Sequence, residues 1–231
     1  MDFSCSKRPF PWPSAVSADK DDLNRRGNTL IADQFNNRVI EVDPNGEIVW
    51  QFGLGPADFS PESIIGVNDA QRVGDLTLMA GTGTPGGQPE AKDCMNPSGC
   101  PDNRVLRVNR HDHIVWQYGT FGPGGNAPGQ LNTPVQVTWL PNRHVLITDQ
   151  ANSRIIEVRA FSKDTKPVWE YDGLNNPNCA ELLENGHILI CDENNNQALE
   201  VPARWCIPTR LLPECPSMPL LWPAGCQTAT R

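Results

Sequence analysis

The sequence predicts an all-β chain of short antiparallel strands grouped in repeated four-stranded units. Three observations carry this. Stretches of the chain repeat one another, the cleanest step between copies is 43 residues (Asp149 to Asp192), and each copy is a string of β-branched runs cut by Asn, Gly and Pro. A period of about 40–45 residues with several short strands is that of a β-propeller blade. With 22 Pro and 19 Gly in 231 residues, the chain has turn chemistry to spare for such a meander.

The units follow in order. Residues 1–27 hold a degraded first inner strand, SAVSADKDD from Ser14 to Asp22, far more polar than its counterpart PVQVTWL at Pro134–Leu140. The repeat region spans 28–201. Its first copy is NTLIADQFNNRVIEVDPNGEIVWQFG, Asn28 to Gly53, with a DPNG turn at Asp43–Gly46 joining two strands. The second is DNRVLRVNRHDHIVWQYG, Asp102 to Gly119, preceded by an insertion over 81–101, GTGTPGGQPEAKDCMNPSGCP. The third splits into four strands: Pro134–Leu140, His144–Thr148, Arg154–Val158 and Val168–Tyr171. The fourth, HILICDENNNQALEV, runs from His187 to Val201 and lacks a closing VWEY strand. Residues 202–231 are rich in Pro and Cys, do not repeat, and have a composition compatible with disorder.

IADQFNNRVIEV and ITDQANSRIIEV resemble the NHL-type propeller repeat, apolar–Asp–x–x–Asn–x–Arg–apolar. The recurring VWQF, VWQY and VWEY segments also resemble the repeats of arylsulfotransferase-like propellers. The resemblance implies a six-bladed ring, whereas about four units are recognisable here. Three explanations stay open: a four-bladed ring, a partial ring that closes by association, or ends foreign to the ancestral fold. The second and third are preferred. The related arylsulfotransferases use a catalytic His, but no His of this chain lies in a motif onto which that role carries.

Asp33, Asn37 and Arg38 recur as Asp149, Asn152 or Ser153 and Arg154, and as Asp192, Asn196 and Gln197. Repetition in every unit favours a structural role, since one active site needs one copy, and Asp and Asn readily bond turn amides. Trp50, Trp116 and Trp169 mark a second common position and read as packing between blades. His144 and His187 sit at a repeat position beside a turn, and His111 and His113 replace residues of the DPNG turn, so all four read as structural or exposed. The segments LNTPVQV and LNNPNCA place Asn132, Gln136, Asn175 and Asn178 where the inner strand lines the ring mouth. These four are the candidate ligand contacts, against the alternative that they cap loops. Cys94 and Cys100 bracket MNPSG, a spacing that permits a disulfide-closed loop, while Cys179 and Cys191 read as small apolar strand residues. Without a CxxC pair or an EF-hand spacing, no catalytic residue, metal ligand or cofactor is assigned. Calcium held by oxygens from several blades is conceivable but unsupported.

Net charge −8 and pI ≈ 5.0 exclude the electrostatic footprint of a nucleic-acid binder, and no apolar run reaches a membrane span. The expectation is a non-enzymatic scaffold presenting mouth loops to a protein, carbohydrate or small molecule, with self-association through an open edge as a further outcome. The alternatives are a propeller enzyme of arylsulfotransferase-like or lactonase/lyase type, and a partial propeller without independent activity. With no signal-peptide pattern at the start, a cytoplasmic location is the default and an extracellular one stays open. If 202–231 lie outside the repeats, deleting them leaves the β content nearly unchanged by circular dichroism. Unfolding on deletion would make them part of the last blade.

Overall fold

The computed structural model describes residues 23–203. Both the Ser14–Asp22 strand and the tail beyond Ala203 lie outside them. The described residues form a β-propeller arrangement of four antiparallel sheets, each a simple meander in chain order. The first blade holds β1 (Thr29–Asp33), β2 (Arg38–Val42) and β3 (Ile48–Phe52). The second holds β4 (Val67–Val73), β5 (Leu76–Thr84), β6 (Cys100–Asn109) and β7 (Ile114–Gly119). The third holds β8 (Pro134–Trp139), β9 (His144–Asp149), β10 (Arg154–Arg159) and β11 (Trp169–Tyr171). The fourth holds β12 (Pro177–Leu182), β13 (His187–Asp192) and β14 (Gln197–Pro202). Among the described residues the first blade thus has no counterpart of the inner strands β4, β8 and β12, and the fourth none of the outer strands β7 and β11. Blades pack first on second, second on third and third on fourth, and the sheets are not closed into a ring.

Three apolar clusters fill these three interfaces. Val39, Trp50, Phe52, Val67, Met79 and Leu106 join the first two blades. Leu78, Val105, Tyr118, Val137, Ile147 and Ile156 join the next pair, and Leu146, Ile155, Trp169, Ala180, Ile188 and Ile190 the last. Neither face of a blade can be covered by the blade itself, so the alternate strand residues look for a neighbour. Each large side chain buried this way contributes about 1.5–3 kcal/mol.

One end of the first, third and fourth blades is organised by the turn that follows β1, β9 and β13. A short 3-10 turn (Gln34–Asn36, Gln150–Asn152, Glu193–Asn195) is followed by one residue in the left-handed region: Asn37 at φ 48°, Ser153 at 55°, Asn196 at 52°. The Asp before the turn holds it together. Asp149 accepts bonds from Asn152 Nδ2 (2.8 Å), Arg154 Nε (2.7 Å) and the backbone N–H of Asn132 (2.7 Å). Asp192 does the same with Asn195, Asn175 N–H and, in place of Arg, Gln197. In the first blade Asp33 bonds Asn36 and Arg38. The recurring amide partner is therefore the residue three after Asp (Asn36, Asn152, Asn195), not Asn37 or Asn196.

The second blade departs from this pattern in an instructive way. Arg104 pairs with Gly81 across the sheet, as Arg154 does with Asp149, so the carboxylate position is vacant. Asp102, which stands where the sibling blades have Asn, fills it from the other strand. Its carboxylate bonds Arg104 Nε and the Ile65 N–H (2.7 Å), and lies 2.4 Å from where a Cβ on Gly81 would be. Asp102 and Arg104 are both almost wholly buried. Burial raises the Asp102 carboxyl pKa, opposed by its bonds to Arg104 and Ile65. The 81–101 insertion also begins later than the sequence suggests, because Gly83 and Thr84 still pair with Pro101 and Cys100.

This relocation predicts a coupled pair. Asp102→Asn leaves a buried guanidinium without its carboxylate and costs about 3–5 kcal/mol in urea unfolding. Gly81→Asp alone is also destabilising, through collision with Asp102. The double variant Gly81→Asp/Asp102→Asn restores the sibling arrangement and recovers most of the loss.

Candidate functional site

The mouth residues expected to contact ligand are mostly committed to the fold. Gln136 Oε1 accepts the Ala180 N–H of the next blade at 2.6 Å. Asp69, one blade earlier, accepts the Val137 N–H at 2.9 Å, and Gln71 the Trp139 N–H at 2.7 Å. Burial pushes the Asp69 carboxyl up and the Val137 amide pulls it back. Asn132 and Asn175 anchor the Asp of their own blade through their backbone N–H groups. Asn132 Oδ1 lies beside Gly124, and Asn175 Oδ1 meets Asn194 Nδ2 at 3.4 Å. Asn178 is exposed, and its side chain has no hydrogen bond among the described residues.

A second set of clamps joins the blades at the same end. Asn37, buried and left-handed, accepts the Gly66 N–H at 3.0 Å and donates to the Asp58 carbonyl at 3.2 Å. Asn103 repeats this one blade on, with Thr133 N–H and the Gly122 carbonyl, both at 2.7 Å. The left-handed backbone aims each amide out of its sheet toward the next blade. The sequence shows these residues as repeat positions but not that they work between blades.

The histidines of the repeat bond glutamates: His144 Nδ1 meets Glu157 at 2.5 Å and His187 Nδ1 meets Glu200 at 2.8 Å. His111 and His113 lie in an exposed turn whose backbone is tied to Asn109. Trp50 and Trp169 are buried, and Trp116 packs beside Tyr118 with centroids 6.4 Å apart. Cys94 and Cys100 form a disulfide closing the insertion. Cys179 and Cys191 are not apolar packing residues; facing one another across β12 and β13, they form a second disulfide. Cys179 occupies the position of Asp69 and Gln136, so the fourth blade ties this side chain into its own sheet. Cys206, Cys215 and Cys226 lie outside the described residues.

A large cleft of about 1710 Å³ lies between the first and second blades, away from the four mouth residues. Its floor is the whole of β3, and one wall is the insertion with Glu90, Lys92 and Asp93. The far end is the His111–His113 turn, and near its other end stands Leu54, 82% exposed. Among the described residues β3 is an edge strand, paired only with β2, so one side of its backbone has no strand partner there. The insertion that walls the cleft occurs in the second blade alone; a smaller concavity of about 550 Å³ lies along β11, against Val201–Ala203. The cleft exceeds the roughly 300–1,000 Å³ of a small-molecule pocket. No cluster of three or more His, Cys, Asp or Glu placed to hold a metal occurs among the described residues, and no helix there is long and apolar enough to cross a membrane.

No family model and no curated protein matches the chain. Solved structures similar to it include a streptogramin B lyase, at 14% identity over 81% of this chain and 53% of that one, with TM-score 0.48. A catalytically inactive virginiamycin B lyase from Staphylococcus aureus with quinupristin is 15% identical, over 81% and 59%, with TM-score 0.48. An auxiliary nutrient binding protein from Bacteroides thetaiotaomicron is 14% identical, over 75% and 44%, with TM-score 0.43. The chain spans little more than half the length of the two lyases.

Gln136→Ala leaves the Ala180 N–H without its partner and lowers stability by about 1–3 kcal/mol in urea unfolding. Asn178→Ala, with no bond to lose, changes stability by less than about 0.5 kcal/mol.

Proposed function

We propose that this chain is an NHL-type propeller that acts as a binding scaffold and takes an extended polypeptide in the cleft along β3. The NHL-type reading rests on the Asp–x–x–Asn–x–Arg turns at Asp33, Asp149 and, with Gln for Arg, Asp192. The repeat region 28–201 is the scaffold in this reading, with 1–27 and 202–231 as additions to it. The single observation that carries the binding reading is a strand edge, unpaired among the described residues, along the floor of an open cleft. Such an edge adds a strand from a partner through main-chain bonds, and the walls choose its side chains. The lining carries Asp58, Glu62, Glu90, Asp93 and Asp112 against Arg38, Lys92 and Arg110, a modest acidic excess in a chain of net charge −8 that favours basic side chains on the incoming strand. Leu54 offers an apolar contact at the end of that floor. Of the four mouth residues, Asn178 keeps a free amide and is retained as a second ligand contact.

The test is a displayed peptide library panned against the full chain. The expected outcome is enrichment of extended peptides with alternating basic and apolar residues. Their affinity, by fluorescence polarisation, falls at least about tenfold, or 1.4 kcal/mol, in Leu54→Asp and in Glu90→Lys/Asp93→Lys. Enriched peptides that bind these variants as well as wild type would overturn the cleft reading. Selective binding on a glycan array, with no peptide enriched, would replace polypeptide by carbohydrate.

A further inference from the structure

The third strand of each blade carries a charge opposite the repeated Trp. Glu41 faces Trp50, Arg107 faces Trp116 and Glu157 faces Trp169, and Glu200 holds the same place in the fourth blade. Each glutamate has partners supplied by the chain. Glu41 meets Arg72 and Asn28, Glu157 meets His144 and Asn142, and Glu200 meets His187 and Asn185. The second blade inverts the charge and supplies no counter-charge. Arg107 is 3% exposed, makes no ion pair among the described residues, and keeps Nε and Nη1 buried without a hydrogen-bond partner. Its guanidinium instead packs on the rings of Trp139 and Phe161 of the third blade, at 4.3 and 4.4 Å to the centroids. Burial lowers its pKa with no carboxylate in opposition.

We propose that Arg107 is an anion site that takes a carboxylate group from outside the chain, at the end of the interface between the second and third blades, with Phe161 as its cover. An aromatic ring satisfies the face of a guanidinium and none of its in-plane N–H donors. The donors left over form a fork that matches a planar carboxylate. Phe161 has the properties of a displaceable cover. It is 61% exposed, lies in a turn, and holds a φ of 65° that a bulky residue rarely adopts. The surrounding turns help an anion arrive. Arg143, Lys163 and Lys166 share this end of the third blade with the Arg159–Asp164 pair and with Glu157, itself bonded to His144 and Asn142, in a chain that is acidic as a whole. This site lies apart from the cleft and does not rest on the reading given to it.

Thermal unfolding of the full chain in sodium acetate tests the proposal, against sodium chloride at equal ionic strength so that screening is constant. At ten times its Kd, acetate raises the wild-type midpoint by about 3–6 °C over chloride. Arg107→Met abolishes that increment. Phe161→Glu, which places a carboxylate of the chain beside the guanidinium, raises the midpoint without acetate and also removes the response. N-acetyl-triglutamate distinguishes a polypeptide source from a small acid. A larger shift than acetate at equal carboxylate concentration marks the former, and an equal shift the latter. No acetate-specific shift in wild type, or the same shift in both variants, would overturn the proposal.

Discussion

The fold turns on a buried carboxylate at one end of the second, third and fourth blades. One side chain joins three strands: the Asp at the end of the second strand, the Arg or Gln that opens the third, and the backbone N–H that leads into the first. Asp149 does this for the third blade and Asp192 for the fourth. Because the carboxylate is desolvated, it is held only while all its donors are in place, and loss of one leaves the others unpaired. The second blade shows that position matters and origin does not. When the insertion removes the Asp from β5, Asp102 supplies the charge from β6, and Gly81 leaves the room.

Between blades the same economy of polar groups recurs. Apolar contacts are non-directional and would let two sheets slide, whereas an amide aimed at one N–H fixes the register. Asn37 and Asn103 do this at one end, and Asp69, Gln71 and Gln136 along the inner strands. Gln136 looks like a ligand contact when only its type and place in the repeat are known. In the folded chain its hydrogen bond is directed to the neighbouring blade.

Periodicity made the strands legible, since LIAD, LITD and LICD must share a place and a partner. The structural role of the Asp turn was legible for the same reason. What was hidden depends on contacts across more than one repeat. Asp102 escapes an alignment because it stands in the column of Asn36 and Asn152 while acting as Asp33 and Asp149 do. The pairing of Cys179 with Cys191 requires the β12–β13 register, which a bulge between Pro177 and Cys179 sets and composition does not reveal. The cleft along β3 is a gap between two units, and no residue of either announces it.

The charges opposite the repeated Trp have a consequence for how the chain finds its fold. Near-identical units invite mistaken docking, since any blade offers its neighbour a similar greasy face. Here two of the three junctions carry their own polar signature: Glu41 with Arg72, and Arg107 with Trp139 and Phe161. Swapping two blades would bury a carboxylate against an aromatic ring or set a guanidinium beside another. These two junctions therefore serve as an address, penalising assemblies that exchange the blades on either side of them.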